Sequence, residues 1–122
     1  MIAGIGVDIV EVRRIADALE RYGASFSSKI FTEREIAYCQ AKASPAEHYA
    51  ARFAAKEAFS KAIASGWSGT FHWKDVEVTN DESGQPHLLL HGQTAEKIGT
   101  AAVKISLSHT GTNAVAFVVI DS

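Results

Sequence analysis

The sequence predicts an α+β fold in which a mostly antiparallel sheet packs against one long helix. Segments with period-two alternation occur at both ends and in the middle of the chain, and runs with helical spacing separate them. With 122 residues, of which 47% are hydrophobic and 21% charged, the composition is that of an ordinary globular protein. We therefore expect a single domain over residues 1–122.

The first predicted element is a strand at the N-terminus. Ile5, Val7 and Ile9 alternate with two glycines and Asp8. This alternation predicts that the three β-branched side chains enter the core and that the opposite, bare face presents Asp8. Because an isolated buried charge is very costly, Asp8 needs a cation, a metal or a wet cleft.

Two shorter helices are expected after this strand. Val12, Ile15 and Leu19 recur at helical spacing, and Gly23 ends the first of these helices. Thr32 followed by Glu35 is the capping-box pattern, which predicts the start of a second helix.

The longest helix candidate runs from Ser44, as N-cap, to Gly66, as the stop, with Pro45 in its first turn. Small or apolar residues cover one arc of the helix: Ala51, Ala54, Ala55, Ala58, Phe59 and Ala62. Polar residues cover the opposite arc: Arg52, Lys56, Glu57, Ser60 and Lys61.

The polar arc has two interpretations. It is either a solvated, salt-bridged surface with Glu57 and Lys61 paired four residues apart, or part of a site. In the second interpretation Asp8 converges with Glu57 on Mg²⁺, which prefers oxygen ligands and adds substrate phosphates. Lys56 and Lys61 would then face those phosphates as point charges.

The second half of the chain predicts four strands and a helix. Residues 73–80 and 85–92 form strands joined by the turn 81–84, residues 93–101 form a short helix, and strands follow at 103–110 and 113–121. His109, at the end of the first of these last strands, is either a structural hydrogen-bonding group or a binding residue beside a loop.

Charge and cysteine content limit the class of protein. The formal net charge of −2 gives no general attraction for nucleic acid, and no signal peptide or membrane segment is recognisable. The single cysteine, Cys39, excludes an internal disulfide, fits a reducing cytoplasm, and is interpreted as a structural thiol. On the first helix Arg13, Arg14 and Arg21 form a basic edge that suits an acidic partner, or else an ordinary exposed helix surface.

Four segments, in order along nearly the whole chain, carry a family resemblance: "GIGVDIVEVRRI", "FTEREI", "RFAAKEAFSKAI" and "SLSHT". They closely resemble the holo-acyl-carrier-protein synthase family, the short 4′-phosphopantetheinyl transferases. The resemblance implies that family's fold and its reaction. Members transfer the phosphopantetheine arm of coenzyme A to a serine of apo-acyl carrier protein, release adenosine 3′,5′-bisphosphate, and serve fatty acid biosynthesis.

The resemblance also implies roles for individual residues. Asp8 and Glu57 would bind Mg²⁺, Lys61 would contact the phosphates, and Glu57 or a water that it orients would take the serine proton. The adenine nucleotide would be contacted by His109 with Arg52 and Pro86. Arg14 and Arg21 would dock the acidic carrier protein, and the family typically forms a cytoplasmic homotrimer with sites between subunits.

The sequence departs from the family pattern at two positions. Members commonly have a basic residue at the position of Gln85 and a charged residue at that of Gly111. Lys42 is the one evident basic candidate for the 3′-phosphate in its segment. Two other functions remain open: a Mg²⁺-dependent hydrolase of a nucleotide pyrophosphate, and a carrier-protein-binding module without catalysis.

Overall fold

The structure, a computed structural model, describes residues 1–63 and 72–122. Within these ranges the strands are β1 (Ile2–Glu11), β2 (Val76–Asn80), β3 (Pro86–Leu90), β4 (Ala102–His109) and β5 (Asn113–Asp121). The helices are α1 (Val12–Tyr22), α2 (Ala24–Ile30), α3 (Glu33–Gln40), α4 (Pro45–Ala62) and α5 (Gly92–Ile98), with a 3₁₀ turn at Trp73–Asp75.

The strands form two antiparallel groups. One sheet has the order β1-β5-β4, in which Asp8 lies opposite Ala116 and Ala116 lies opposite Leu107. The second is the hairpin β2-β3, in which Asn80 lies opposite Pro86. Helix α4 packs across β1, β5 and β4, so the predicted fold class and the long helix on the sheet are confirmed.

Two glycines let α4 approach the sheet at backbone distance. A Cβ atom added at Gly4 would overlap the carbonyl oxygen of Ala62, and one added at Gly6 would overlap that of Ala58. The face of β1 that carries the glycines and Asp8 therefore faces the helix, because only a face without side chains admits a helix this close.

The opposite face of β1 is exposed, so the predicted orientation of this strand was wrong. Ile5, Val7 and Ile9 are 61%, 53% and 68% exposed. Alternation identified two faces correctly, but hydrophobicity alone assigned the apolar one to the core of the chain. Phe117, which lies opposite Val7 on β5, extends the exposed apolar face and is 44% exposed.

Two predicted helix starts and one predicted helix end are confirmed, the end because Gly23 directly follows α1 as its C-cap. Thr32 and Glu35 form the predicted reciprocal capping box of α3, and Pro45 is in the first turn of α4. Helix α4 ends at Ala62, and the predicted stop at Gly66 lies outside the described residues. Helix α2 follows Gly23 directly and has no counterpart among the predicted elements.

The core surrounds α4 on nearly all sides. Tyr49, Phe59 and most alanines of α4 are buried, and Arg52, Lys56 and Ser60 on the polar arc are 2%, 0% and 2% exposed. The interpretation of that arc as a solvated surface is therefore wrong for these three residues. Within residues 1–63 and 72–122, no helix combines the length and the apolar character that a membrane crossing requires.

Candidate active site

Asp8 has a cationic partner at the last turn of α4. Its Oδ1 atom accepts a hydrogen bond from Nζ of Lys61 at 3.0 Å, and the same ammonium donates to the carbonyl oxygen of Val7 at 3.1 Å. The Asp8 side chain is 17% exposed and that of Lys61 is 55% exposed. The carboxylate is thus partly sheltered, paired and accessible from one side, which meets the requirement set by its position in an apolar strand.

Glu57 belongs to the same region of α4. It lies one helical turn before Lys61, so both side chains leave the helix on one side. It also precedes Ala58, whose carbonyl oxygen touches Gly6 two residues before Asp8. Glu57 therefore leaves α4 on the same side as Lys61, whose ammonium contacts Asp8.

The described residues contain no group of three or more His, Cys, Asp or Glu side chains that could hold a metal ion. What this region offers is two carboxylates and an ammonium. Such a donor set suits a cation whose coordination is completed by a charged substrate, because Mg²⁺ is usually bound through one or two carboxylates plus phosphates.

Lys56 lies elsewhere, and the prediction that it faces phosphates was wrong. Its side chain is fully buried, and Nζ donates to Glu35 Oε1 at 2.9 Å, to the carbonyl oxygen of Trp73 at 3.0 Å and to that of Val76. Burial lowers the pKa of Lys56, and the charge of Glu35 opposes that change. The side chain points to β2 because the polar arc of α4 contacts α3 and β2 rather than water.

Arg52 and Pro86 are brought into the same neighbourhood. The Nη2 atom of Arg52 donates to Oδ1 of Asn80, and Asn80 lies opposite Pro86 in the hairpin. The guanidinium carbon of Arg52 lies 3.9 Å from the centroid of the Tyr38 ring. Its buried Nε atom has no hydrogen-bond partner in the described part of the chain.

His109 lies near the first turn of α4, at the end of a row of aromatic rings. Its Nδ1 atom is 3.2 Å from Oε1 of Glu47, and its ring centroid is 5.1 Å from that of His48. The His48 ring in turn meets Tyr38 at 5.9 Å, and Nζ of Lys42 lies 4.5 Å from the Tyr38 centroid. Burial, and then the charge of His109, lower the pKa of His48.

Sequence reasoning missed Tyr38, His48 and Asn80 in this row. They come from α3, α4 and β2, and no spacing in the sequence shows that the three elements converge. Only their side-chain chemistry could have indicated them, because aromatic rings and amides are common ligand-binding groups beside residues such as Arg52 and His109.

The two groups of candidate residues contact opposite ends of helix α4. Glu47, the partner of His109, is in its first turn and Lys61, the partner of Asp8, is in its last. These two helix positions are about 21 Å apart along the axis at 1.5 Å per residue. The two groups are closer across the sheet, because His109 and Val10, two residues after Asp8, both lie opposite Ala114 on β5.

Arg13, Arg14 and Arg21 are exposed on α1, as expected for a binding edge. Arg14 and Arg21 lie two turns apart and line a shallow surface groove with Asp17, Ala18 and Tyr22. The basic edge therefore lies on the surface, and an acidic residue, Asp17, lies next to its arginines.

Cys39 takes no part in these groups. Its side chain is fully buried, and burial raises the pKa of its thiol to about 12, with Arg52 opposing the shift. The thiol therefore stays protonated near neutral pH, and the predicted structural role is confirmed.

Comparison with known proteins identifies the family. The model of the 4′-phosphopantetheinyl transferase superfamily matches residues 4–118. Holo-[acyl-carrier-protein] synthase of Solibacter usitatus is 48% identical over 100% of both chains. Among solved structures, the synthase of Neisseria meningitidis superposes with a TM-score of 0.90 at 33% identity, covering 100% of each chain. A synthase from Bacillus anthracis, crystallised in complex with CoA (3′,5′-ADP), superposes with a TM-score of 0.86 at 38% identity, covering 100% of this chain and 98% of its own.

The match extends over nearly all of the chain, including β1, with Asp8, and α4, with Glu57 and Lys61. Sequence identity of this degree over the full length, together with a common fold, shows common ancestry with these synthases. The chain belongs to the 4′-phosphopantetheinyl transferase superfamily and, within it, to the holo-[acyl-carrier-protein] synthases.

Proposed function

We propose that this enzyme transfers the 4′-phosphopantetheine moiety of coenzyme A to a serine of apo-acyl carrier protein, releasing adenosine 3′,5′-bisphosphate, in fatty acid biosynthesis. The observation that carries this assignment is the junction of β1 and α4. There Asp8 and Lys61 pair and Glu57 lies one helical turn away, in a chain of this family.

Asp8 and Glu57 are proposed as the metal-binding residues. These two residues would supply two carboxylates, and the described residues contain no group of three such ligands, which fits an ion that uses substrate phosphates to complete its shell. Mg²⁺ bound there would neutralise negative charge on the pyrophosphate of coenzyme A. The present partner of Asp8, Lys61, is half-exposed and long enough to turn towards a phosphate.

The reaction needs positioning and charge stabilisation rather than a protein nucleophile. The serine oxygen forms a bond to the phosphorus that carries the pantetheine arm, and the bond from that phosphorus to the bridging oxygen of the nucleotide breaks. The electron pair leaves with adenosine 3′,5′-bisphosphate, where the Lys61 ammonium stabilises the new charge. Glu57 takes the serine proton, directly or through one water molecule.

The row of rings near the other end of α4 is proposed to hold the nucleotide. The buried Arg52, with an Nε–H group that has no partner in the described part of the chain, supports a ligand at this place. His109 lies next to this row because its ring contacts that of His48. Pro86 lies near it because it is opposite Asn80, the partner of Arg52. Lys42 is close enough, over Tyr38, to add a cation for a phosphate.

Arg13, Arg14 and Arg21 are proposed to dock the acidic carrier protein. All three are exposed on one helix of a chain whose formal net charge is −2, so this basic edge is local. A local basic edge attracts an acidic partner and speeds its encounter with the site.

Self-association through the apolar sheet face is proposed, and the family resemblance makes the expected assembly a homotrimer with sites between subunits. Ile5, Val7, Ile9 and Phe117 form a contiguous exposed surface on β1 and β5, and such patches mark association sites. Association of copies would also let the Asp8 group of one chain meet the His109 group of another. A location in the cytoplasm stays the prediction made from the sequence.

One experiment separates this reaction from its rivals. The protein is incubated with coenzyme A, Mg²⁺ and apo-acyl carrier protein, and the nucleotide products are separated with and without the carrier. We expect adenosine 3′,5′-bisphosphate only when the carrier is present. Release of that product without carrier would indicate a pyrophosphate hydrolase, and binding of carrier without any release would indicate a non-catalytic module.

A further inference from the structure

The outer edge of β2 is held by side chains instead of a neighbouring strand. One edge of β2 pairs with β3. On the other side the carbonyl oxygen of Val76 accepts from Lys56 Nζ, and the N–H group of Val78 donates to Glu35 Oε2 at 2.9 Å. The ion pair between Lys56 and Glu35 thus binds one acceptor and one donor of the strand, two residues apart, and takes the place that a further strand would occupy.

The hydrogen-bonding capacity of this ion pair is committed to structure. The three ammonium protons of Lys56 go to Glu35, Trp73 and Val76. Glu35 accepts from Lys56, from the N–H group of Thr32 at 2.9 Å and from Val78. Both side chains are fully buried, so a ligand in solution has no access to Lys56.

The same strand, β2, also carries a residue that contacts the proposed nucleotide site. Asn80 lies at the end of β2, and its side-chain oxygen accepts from Arg52, which is one helical turn before Lys56 on α4. Pro86 begins β3 directly opposite Asn80. Helix α4 therefore contacts one strand twice, with Lys56 at its start and Arg52 at its end, and the alignment of the two elements determines where the guanidinium lies.

We propose that Lys56 is a positioning residue for coenzyme A: through Glu35 and Val76 it fixes β2 against α4, and so sets the place of Arg52, Asn80 and Pro86. This inference rests on the proposed function, which supplies the ligand. Lys56 contacts neither the phosphates nor the carrier protein. Its loss changes the binding of coenzyme A through the hairpin, while the chemical step at Asp8 and Glu57 continues.

The variants Lys56→Met and Glu35→Gln, singly and together, test this path in the full-length protein. The Kd of coenzyme A is measured by calorimetry, and KM and kcat are measured for coenzyme A and for carrier protein. Each single variant is expected to raise the Kd and KM for coenzyme A by about tenfold or more, with kcat changed by less than about threefold. The KM for carrier protein stays unchanged, and so do all constants of the control Lys74→Met, which alters an exposed lysine next to Trp73.

The double variant distinguishes positioning from direct contact. If Lys56 acts through Glu35, the Kd of the double variant should not exceed the larger Kd of the two single variants. Both substitutions then break the same contact between α4 and β2. Fold-changes that multiply, or a loss of kcat with KM unchanged, would overturn the proposal.

Asn80→Ala tests the same path without disturbing the buried pair, should Lys56→Met fold poorly. It is expected to raise the Kd of coenzyme A with kcat nearly unchanged, and an unaltered Kd would contradict the proposal. Should the wild-type protein bind coenzyme A without modifying the carrier, the proposed function would fail. The comparison of Kd values would still decide the role of Lys56.

Discussion

The Nζ atom of Lys61 lies 3.0 Å from Oδ1 of Asp8, so the last turn of α4 is tied to the middle of β1. The two residues are 53 positions apart in the sequence. Gly4 and Gly6 make the contact possible, because they let the helix backbone rest on the strand. The proposed chemistry depends on this junction.

Asp8→Asn is expected to lower kcat/KM for phosphopantetheine transfer by about a hundredfold or more, because the carboxylate charge is lost from the site. The melting temperature should change little, since a partly exposed ion pair contributes only about 0–1 kcal/mol. Steady-state kinetics and thermal unfolding check the two parts. Asp121→Asn, which removes an exposed carboxylate paired with the N-terminus, is the matched control and should leave turnover unchanged. Near-normal turnover of Asp8→Asn at saturating Mg²⁺ would refute the metal assignment.

Arg14→Glu is expected to raise the KM for carrier protein by about tenfold, while the KM for coenzyme A stays constant. The effect should shrink as ionic strength rises, because exposed charges are screened. Kinetics over a range of salt concentrations measure both effects. Lys74→Glu makes the same kind of change on an exposed lysine outside α1 and should have no effect. An unchanged KM for carrier protein in Arg14→Glu would exclude this docking edge.

Gly6→Ala is expected to lower the free energy of unfolding by about 1–3 kcal/mol or more, because its Cβ atom would overlap the carbonyl oxygen of Ala58. Chemical denaturation measures the change. Gly111→Ala is the control, since a Cβ atom there meets nothing within 4 Å. Equal stability of the two variants would mean that α4 does not lie on β1 as described.

Ile9→Glu is expected to convert a trimer, with a mass three times the 13.1 kDa of one chain, into a monomer. A glutamate on the apolar sheet face would lose its hydration in the interface, which is costly. Light scattering after size exclusion measures the mass. Leu89→Glu, on an exposed apolar residue of the separate hairpin, should keep the assembly. A wild-type protein that is monomeric at all concentrations would contradict the proposed trimer.

The sequence predicted the elements of the fold better than their orientation. The period of two in β1, the capping box at Thr32 and the start of α4 at Pro45 are local signals, and the structure has all three. The apolar face of β1 was misassigned because such a face can be either covered by its own chain or left at its surface. Hydrophobicity does not distinguish these two environments.

The polar arc of α4 shows the same limit. Lys56 and Lys61 are both lysines on this arc, and both were predicted to face phosphates. One is fully buried and held by Glu35, and the other is half-exposed beside Asp8. Their difference depends on which elements pack against each side of the helix, and that information is not local to the motif.

The most direct test of the account is the intact mass of apo-acyl carrier protein after incubation with this protein, coenzyme A and Mg²⁺. We predict that the carrier gains the mass of one phosphopantetheine, and that a carrier with its acceptor serine changed to alanine gains nothing. The gain should disappear with Asp8→Asn and remain with Asp121→Asn. A wild-type reaction that leaves the carrier mass unchanged while the protein is folded and binds coenzyme A would contradict the central claim.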